Sequence, residues 1–511
     1  MEWRRKLINC PYLRIYPLTE RDQDELDPTG KARAFIESVT RVVENHPTPQ
    51  SPDTLRKNPE QWLEWYRDFK KKNRTDRHQP FWEFDDECEV KWGPQGGHPV
   101  WDDLLPSIIE MYERANCQRS FPVTEIGLAY ILSRVDDAIQ LYGLPQPVEM
   151  SFYKTNATLP TMGKKGSYHA ETVCMDPHRH LLPDLIGSRF QFQKPRLIHQ
   201  DPNPNVRYLG DLLSRVRNWL RTYLPDIFGA WCRPEKWVAP ALTAAAERGD
   251  VNVEGDYKHM DAGFGRQCAN LILPIYERLL DPGEFQVLAV YNDELWEQPI
   301  YMGDFLIVGE HDLFSGVYPT QDFETIFSAA LHIGADIVAG NRRATSFFVG
   351  DDSILTYKRK HLSYAKAAME IIHEESERTG CIMEPSKTRF NQPGLRFCKR
   401  VWYPGAPKVV YNDQLLSPGA YPFIRTLNTI VLPERSTDPE KLVSAQLSRM
   451  DNAHGSPAWE NFVRGIYRRV TWQLPAPEYF TEQRVVVDWW DRVYGDRWSP
   501  LSSVTFNCLK S

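Results

Sequence analysis

Apolar residues recur every three to four positions over 103–116, 123–141, 320–338 and 361–379, which predicts four helices. A fifth is expected over 31–44, inside an extended, proline-punctuated start. From about 250 to 405 short β-type runs interrupt this pattern: VNV at 251–253, ATSFFV at 344–349, SILTY at 353–357 and RFCKRVWY at 396–403. Such alternation predicts an α+β module with a small sheet. Beyond 405 the texture returns to helix and loop. It ends in VVVDWWDRVYGDRW, read as an amphipathic core element. No internal repeat or low-complexity block stands out.

At 511 residues the chain exceeds what one core supports, so two or three lobes are expected. The hydrophobic share of 41% excludes a disordered protein. A net charge of −7 and a pI near 6.1 speak against a coat-type nucleic-acid binder, which would be basic overall. They leave room for an enzyme with a locally basic channel. The nine cysteines are scattered without a CxxC pair, which predicts a reduced, intracellular protein. Cys174, His178 and His180 lie close in sequence but lack a fourth zinc ligand at a sensible spacing. The N-terminus has no apolar signal core, and no stretch approaches 18 apolar residues. A soluble protein is expected.

Four constellations carry candidate chemistry. Gly350-Asp351-Asp352-Ser353 falls between two β-type runs and predicts a hairpin with two carboxylates at its tip. Alone it is weak, because Gly and Asp are ordinary turn formers. Asp256-Tyr-Lys-His-Met-Asp261 follows the 251–253 run, so its first carboxylate can face that tip. Three acidic groups gathered together repel unless cations sit between them, and Mg²⁺ suits carboxylates that share it with phosphates. Two such ions would clamp the attacking and leaving oxygens of a phosphoryl transfer.

Ser315-Gly316-Val-Tyr-Pro-Thr320 runs into a helix on which Thr320, Glu324 and Ser328 form a polar stripe at four-residue spacing. Its place between the acidic motifs favours a substrate-facing stripe. Lys194 and Arg196, flanked by Arg189 and Arg207, could neutralise a triphosphate or a template backbone. The loop Leu159-Pro-Thr-Met-Gly-Lys164-Lys165-Gly166 offers a further basic, glycine-containing contact for a polynucleotide.

In this order and spacing the motifs resemble the RNA-dependent RNA polymerases of small double-stranded RNA viruses, in particular the picobirnavirus and partitivirus group. The resemblance covers about 190–405. It implies a right-hand fold of fingers, palm and thumb, with a small antiparallel palm sheet flanked by helices. The implied division is an N-terminal extension linking fingers and thumb (1–60), fingers (61–248), palm (249–275), a fingers insertion (276–310), palm again (311–405) and thumb (406–511).

It also implies roles. Asp256, Asp351 and Asp352 match the ligands of two Mg²⁺, for which Mn²⁺ can substitute. Asp261 matches the residue that senses the ribose 2′-hydroxyl. Ser315, Gly316 and Thr320 match the mobile loop and threonine near the sugar, and Lys194 and Arg196 the triphosphate cations. Lys387, in Glu384-Pro-Ser-Lys387, matches a lysine that protonates the leaving pyrophosphate. Lys399 and Arg400, in Phe397-Cys-Lys-Arg400, match the grip on the growing strand. Glu324 stands where many positive-strand enzymes carry Asn, as in partitivirus-type enzymes. Asp261 and Glu324 should not both be charged and free, so one is expected to be protonated or bonded to a donor such as Thr320.

The implied partners are template and nascent RNA, nucleoside triphosphates and a viral capsid protein, without a membrane. The implied location is the host cytoplasm and the virion interior. Two rival readings are a reverse transcriptase, which places a bulky ring where Asp261 stands, and a non-catalytic RNA-binding or capsid-associated protein.

Overall fold

A helix that is apolar nearly all round must be buried on all sides, and the Thr320–Ala339 helix is: every residue from Asp322 to Asp336 lies in the interior. In the computed structural model the described residues are 2–27, 30, 33, 34, 36, 59–90, 92, 101–146, 184–189, 196–200, 203–231, 234–314, 317, 319–411, 414–431, 449, 450 and 452–469. Helices appear at Trp101–Ala115, Pro122–Tyr142, Thr320–Ala339 and Leu362–Thr379, where the periodicity predicts them. Most of the 31–44 stretch, the 159–166 loop, Cys174, His178, His180 and the 485–498 aromatic segment lie outside the described residues.

In chain order the described strands are β1 (Arg14–Pro17), β2 (Asp184–Arg189), β3 (Arg196–Gln200), β4 (Val251–Gly255), β5 (Ile300–Tyr301), β6 (Phe305–Val308), β7 (Arg343–Val349), β8 (Asp352–Tyr357), β9 (Arg389–Phe390), β10 (Leu395–Phe397), β11 (Arg400–Trp402), β12 (Val409–Tyr411) and β13 (Gln414–Leu416). One antiparallel sheet has the order β7-β8-β4-β9. A second, five-stranded sheet has the order β1-β6-β5-β2-β3, with β2 and β5 parallel. The run at 396–403, expected as one strand, is instead the hairpin β10–β11. It breaks at Cys398 and Lys399, both left-handed (φ +47° and +63°), which is the backbone of a two-residue I′ turn.

The four-stranded sheet packs against the central helix, which lies between the Pro122–Tyr142 and Leu362–Thr379 helices. Glycine permits the first of these crossings. A Cβ on Gly127 would sit 1.8 Å from the Ala330 carbonyl oxygen, and one on Gly334 would sit 2.1 Å from that of Val123. The buried polar ends of the helix are paired. Arg217 grips Asp322 with two bonds, at 2.9 and 2.6 Å, and Arg343 meets Asp336 at 2.7 Å. Among the described residues no helix is long and apolar enough to cross a membrane, and no disulfide joins the cysteines.

A second core joins the helices Pro59–Asn73 and Gln79–Glu89 to Phe423–Val431 and Trp459–Tyr467. Phe423 and Phe462 stack at 4.3 Å, and Phe81 meets Phe423 edge-on at 5.3 Å. Residues of the 61–248 stretch, taken from the sequence as one unit, contribute to three buried clusters.

Asp85 is fully buried in this second core. It accepts from the Tyr66 hydroxyl and, at 3.1 Å, from the Ile424 amide. Burial raises its carboxyl to about 6, against the lowering effect of those bonds. Between pH 4 and 6 the folded state therefore holds a proton that the unfolded chain has lost, so this group's contribution to stability falls as pH rises and is flat above. Asp85→Asn is expected to flatten that slope, by roughly 3 kcal/mol across the window. Urea unfolding of both proteins from pH 4 to 8 reads it, and parallel curves would reject the assignment.

Candidate active site: an acidic hairpin on a buried helix

The pairing of β7 with β8 closes at Val349 opposite Asp352, leaving Gly350 and Asp351 as a two-residue loop. Gly350 has φ +58° and Asp351 is not in the left-handed region, the pattern of a II′ turn, which takes glycine first. The predicted acidic tip is present. Antiparallel register then brings in the third carboxylate. Gly255 pairs with Ser353, so Asp256, the next residue, leaves its strand beside the tip.

Asp351 keeps an exposed surface and Asp352 a partial one, yet both carboxyls are crowded by protein. Burial raises the Asp351 acid, followed by repulsion from Asp256 and Asp261, with Lys399 partly offsetting it. Asp352 is raised to about 7, by burial first and then by Asp351, again with Lys399 opposing. Lys399 reaches this ground because the left-handed turn carries it there. Cys398, on the same turn, offers its thiol to Asp352.

Asp256 is about half exposed, and Lys387 Nζ lies 3.5 Å from its Oδ2. That meeting is built by the backbone: Lys258 N donates to Ile382 O, and Glu384 N to Asp256 O. A turn from Glu384 to Thr388 then aims the lysine.

Asp261 begins a short 3₁₀ turn, Asp261–Gly263, where its Oδ1 accepts from Ala262 N at 2.9 Å. Glu324 is buried, and its carboxyl is pushed well above the usual range by burial, then by Asp261 and Asp351. Burial thus drives the Glu324 carboxyl toward its neutral form. Thr320 is not its donor, because its hydroxyl is shared between the carbonyls of Phe314 (3.0 Å) and Val317 (2.9 Å).

Of the expected stripe Thr320, Glu324 and Ser328, the last two are buried in the helix. A second stripe, Thr325, Ser328 and His332, makes the hydrogen bonds to the acidic hairpin and its neighbours. Thr325 Oγ1 accepts from Gly350 N at 2.7 Å and donates to Gln321 O at 2.6 Å. Ser328 Oγ meets the Tyr257 hydroxyl at 3.4 Å. His332 Nδ1 lies 2.8 Å from the Ser328 carbonyl, and its Nε2 lies 2.9 Å from Ser353 Oγ. A carbonyl can only accept, so Nδ1 carries the proton and Nε2 takes the Ser353 hydroxyl. Burial holds this imidazole down to about 4, hence neutral. Gly255 leaves space for the contact, since a Cβ there would meet Ser353 Oγ at 2.6 Å and Met383 Cε at 2.2 Å.

The remaining predicted residues divide. Arg400 donates to Gly419 O at 2.9 Å and covers the Tyr421 ring. Arg196 is the first residue of β3, and its side chain lies outside the described part; Lys164, Lys165, Lys194, Ser315 and Gly316 lie outside the described residues. Sequence reasoning missed Thr325, His332 and Cys398. Their partners are main-chain or distant atoms, so spacing gave no signal.

Among the described residues no three acidic, histidine or cysteine side chains stand close enough to hold one metal ion. Even so, the donors are carboxylate oxygens, the set that hard cations such as Mg²⁺ prefer. Burial, and after it the neighbouring carboxylates, holds the Asp351 and Asp352 carboxyls above their ordinary range, with Lys399 acting against the shift. In kind and charge the residues fit a divalent cation.

Neither the family models nor the curated proteins contain a match to this chain. Solved structures do. The crystal structure of the RNA-dependent RNA polymerase of a human picobirnavirus matches with a TM-score of 0.69 at 18% identity, over 89% of this chain and 90% of that one. An insertion-loop deletion mutant of a human picobirnavirus polymerase matches with a TM-score of 0.69 at 17% identity, over 96% and 100%. At such identities the likeness establishes the fold: this chain has the right-hand architecture of those polymerases.

Proposed function

We propose that the chain is an RNA-directed RNA polymerase of a double-stranded RNA virus, making phosphodiester bonds on an RNA template for genome replication and transcription. The observation that carries the reading is the register of β4 against β8. It sets Asp256 beside the Asp351–Asp352 tip, on a fold shared with polymerases.

Two Mg²⁺ bound by Asp256, Asp351 and Asp352 would supply the charge that clamps attacking and leaving oxygens. The chain's own residues do the rest. Lys387, beside Asp256, gives a proton to the departing pyrophosphate. Asp261 accepts the ribose 2′-hydroxyl, and next to it lies Glu324, whose carboxyl burial drives toward the neutral, donor-bearing form. Lys399 limits the repulsion among the carboxylates and, with Arg400, Lys164 and Lys165, contacts RNA. Lys194 and Arg196 hold the triphosphate, while Ser315, Gly316 and Thr320 shape the loop beside the sugar. Asp261 favours this reading over a reverse transcriptase, because a carboxylate there rewards the hydroxyl that a ring would exclude. A capsid protein as partner, and the host cytoplasm and virion interior as location, belong to the same proposal.

Asp351→Ala is expected to abolish templated synthesis while leaving the unfolding transition in place, because what is lost is ion placement rather than packing. Ordinary Mg²⁺-dependent turnover by that variant would sink the reading. Asp261→Ala is expected to lose most of the preference for ATP over dATP, read as the ratio of kcat/KM on one defined RNA template. An unchanged ratio would put sugar selection elsewhere.

A further inference from the structure

In a two-residue hairpin loop the closing pair takes up the ladder bonds, and the amide of the first loop residue is left without a ladder partner. Here that amide belongs to Gly350, and it is buried. Its acceptor is the hydroxyl of Thr325, itself fully buried. The hydroxyl's single proton goes to Gln321 O at 2.6 Å, so its lone pairs are left for Gly350 N at 2.7 Å. A β-branched side chain in a helix has little freedom at χ1, so the oxygen is a fixed point.

The helix behind it is fixed too. It is buried from Asp322 to Asp336 and tied by Arg217 at one end and Arg343 at the other. The tip is the opposite kind of element, a turn that leaves Asp351 exposed at its end. Thr325, Ser328 and His332 are spaced i, i+3, i+7, one face of the helix. Along that face they reach Gly350 N at the tip, the hydroxyl of Tyr257 next to Asp256, and the hydroxyl of Ser353 next to Asp352. Each acidic residue thus has an adjoining residue held by the same helix face.

From this we infer that Thr325 is a positioning residue for Asp351: its hydroxyl sets the height and orientation of the acidic tip relative to the central helix. The inference rests on the polymerase reading for its kinetic consequence, though not for the contact itself. Catalytic groups displaced by about an ångström can cost on the order of a hundredfold in rate.

The test compares Thr325→Val, which keeps the shape and loses the acceptor, with Thr325→Ser, which keeps the acceptor. Thr325→Val is expected to lower kcat about tenfold or more and to raise the half-saturating Mg²⁺ concentration, with the nucleotide KM changed less than about twofold. Thr325→Ser is expected to restore most of kcat. If Thr325→Val does not fold, Thr325→Ala set against Thr325→Ser makes the same comparison, since the two differ by the hydroxyl alone. Wild-type kcat in the acceptor-less variant, or equal losses in the Ser and Ala variants, would overturn the inference.

Amide exchange at Gly350 separates this from failure of the polymerase reading, because it needs no activity. Protection retained in Thr325→Ser and lost in Thr325→Val supports the contact even if the wild type makes no RNA. Equal protection in all variants overturns it.

Discussion

The site depends on one constraint: a helix buried on every side must find a partner for each polar group it takes inside. An unpaired buried hydroxyl or imidazole costs about 1–3 kcal/mol, so Thr325, Ser328 and His332 are useful in the interior only because the acidic hairpin and its neighbours complete them. The requirement runs both ways. The loop amide of Gly350 and the hydroxyl of Ser353 are equally confined and find their acceptors on the helix. Mutual satisfaction of this kind fixes the depth of the hairpin on the helix far more sharply than apolar packing could, because hydrogen bonds fail within a few tenths of an ångström.

Against that rigid footing stands an electrostatic arrangement that opposes folding. Asp256, Asp261, Glu324, Asp351 and Asp352 converge, and burial, with mutual repulsion after it, makes Glu324, Asp351 and Asp352 weaker acids. Burial eases part of the repulsion by driving Glu324 toward its neutral form. The protein relieves another part with Lys387, and with Lys399 on a turn whose two left-handed, non-glycine residues are themselves strained. Backbone strain and shifted carboxyls concentrated at one spot are the mark of a candidate functional site.

Much of this was legible in the residues. The alternation of β-type runs with helical patterns located β4, β7 and β8, and Gly-Asp-Asp between two runs placed the carboxylates at a hairpin tip. The order of motifs anticipated the fold shared with the picobirnavirus enzymes. The rest was hidden for physical reasons. A four-residue spacing drew attention to Thr320, Glu324 and Ser328, but a helix buried all round has no solvent face to reveal the second stripe, Thr325, Ser328 and His332. Thr325 and His332 act through a backbone amide and a distant serine, contacts that leave no trace in local sequence. The 396–403 run looked continuous because Cys and Lys are rare in left-handed turns. The packing of 59–89 against the C-terminal helices is a long-range contact that no periodicity reports.

The central claim is that the converging carboxylates serve template-directed synthesis. The most direct measurement supplies the purified chain with Mg²⁺ and labelled nucleotides on two homopolymer RNAs, poly(C) and poly(U). GMP should be incorporated on poly(C) only, AMP on poly(U) only, and a chelator should stop both. Incorporation that ignores the template, or that persists without a divalent ion, would contradict the account, as would its absence from folded protein supplied with a primer.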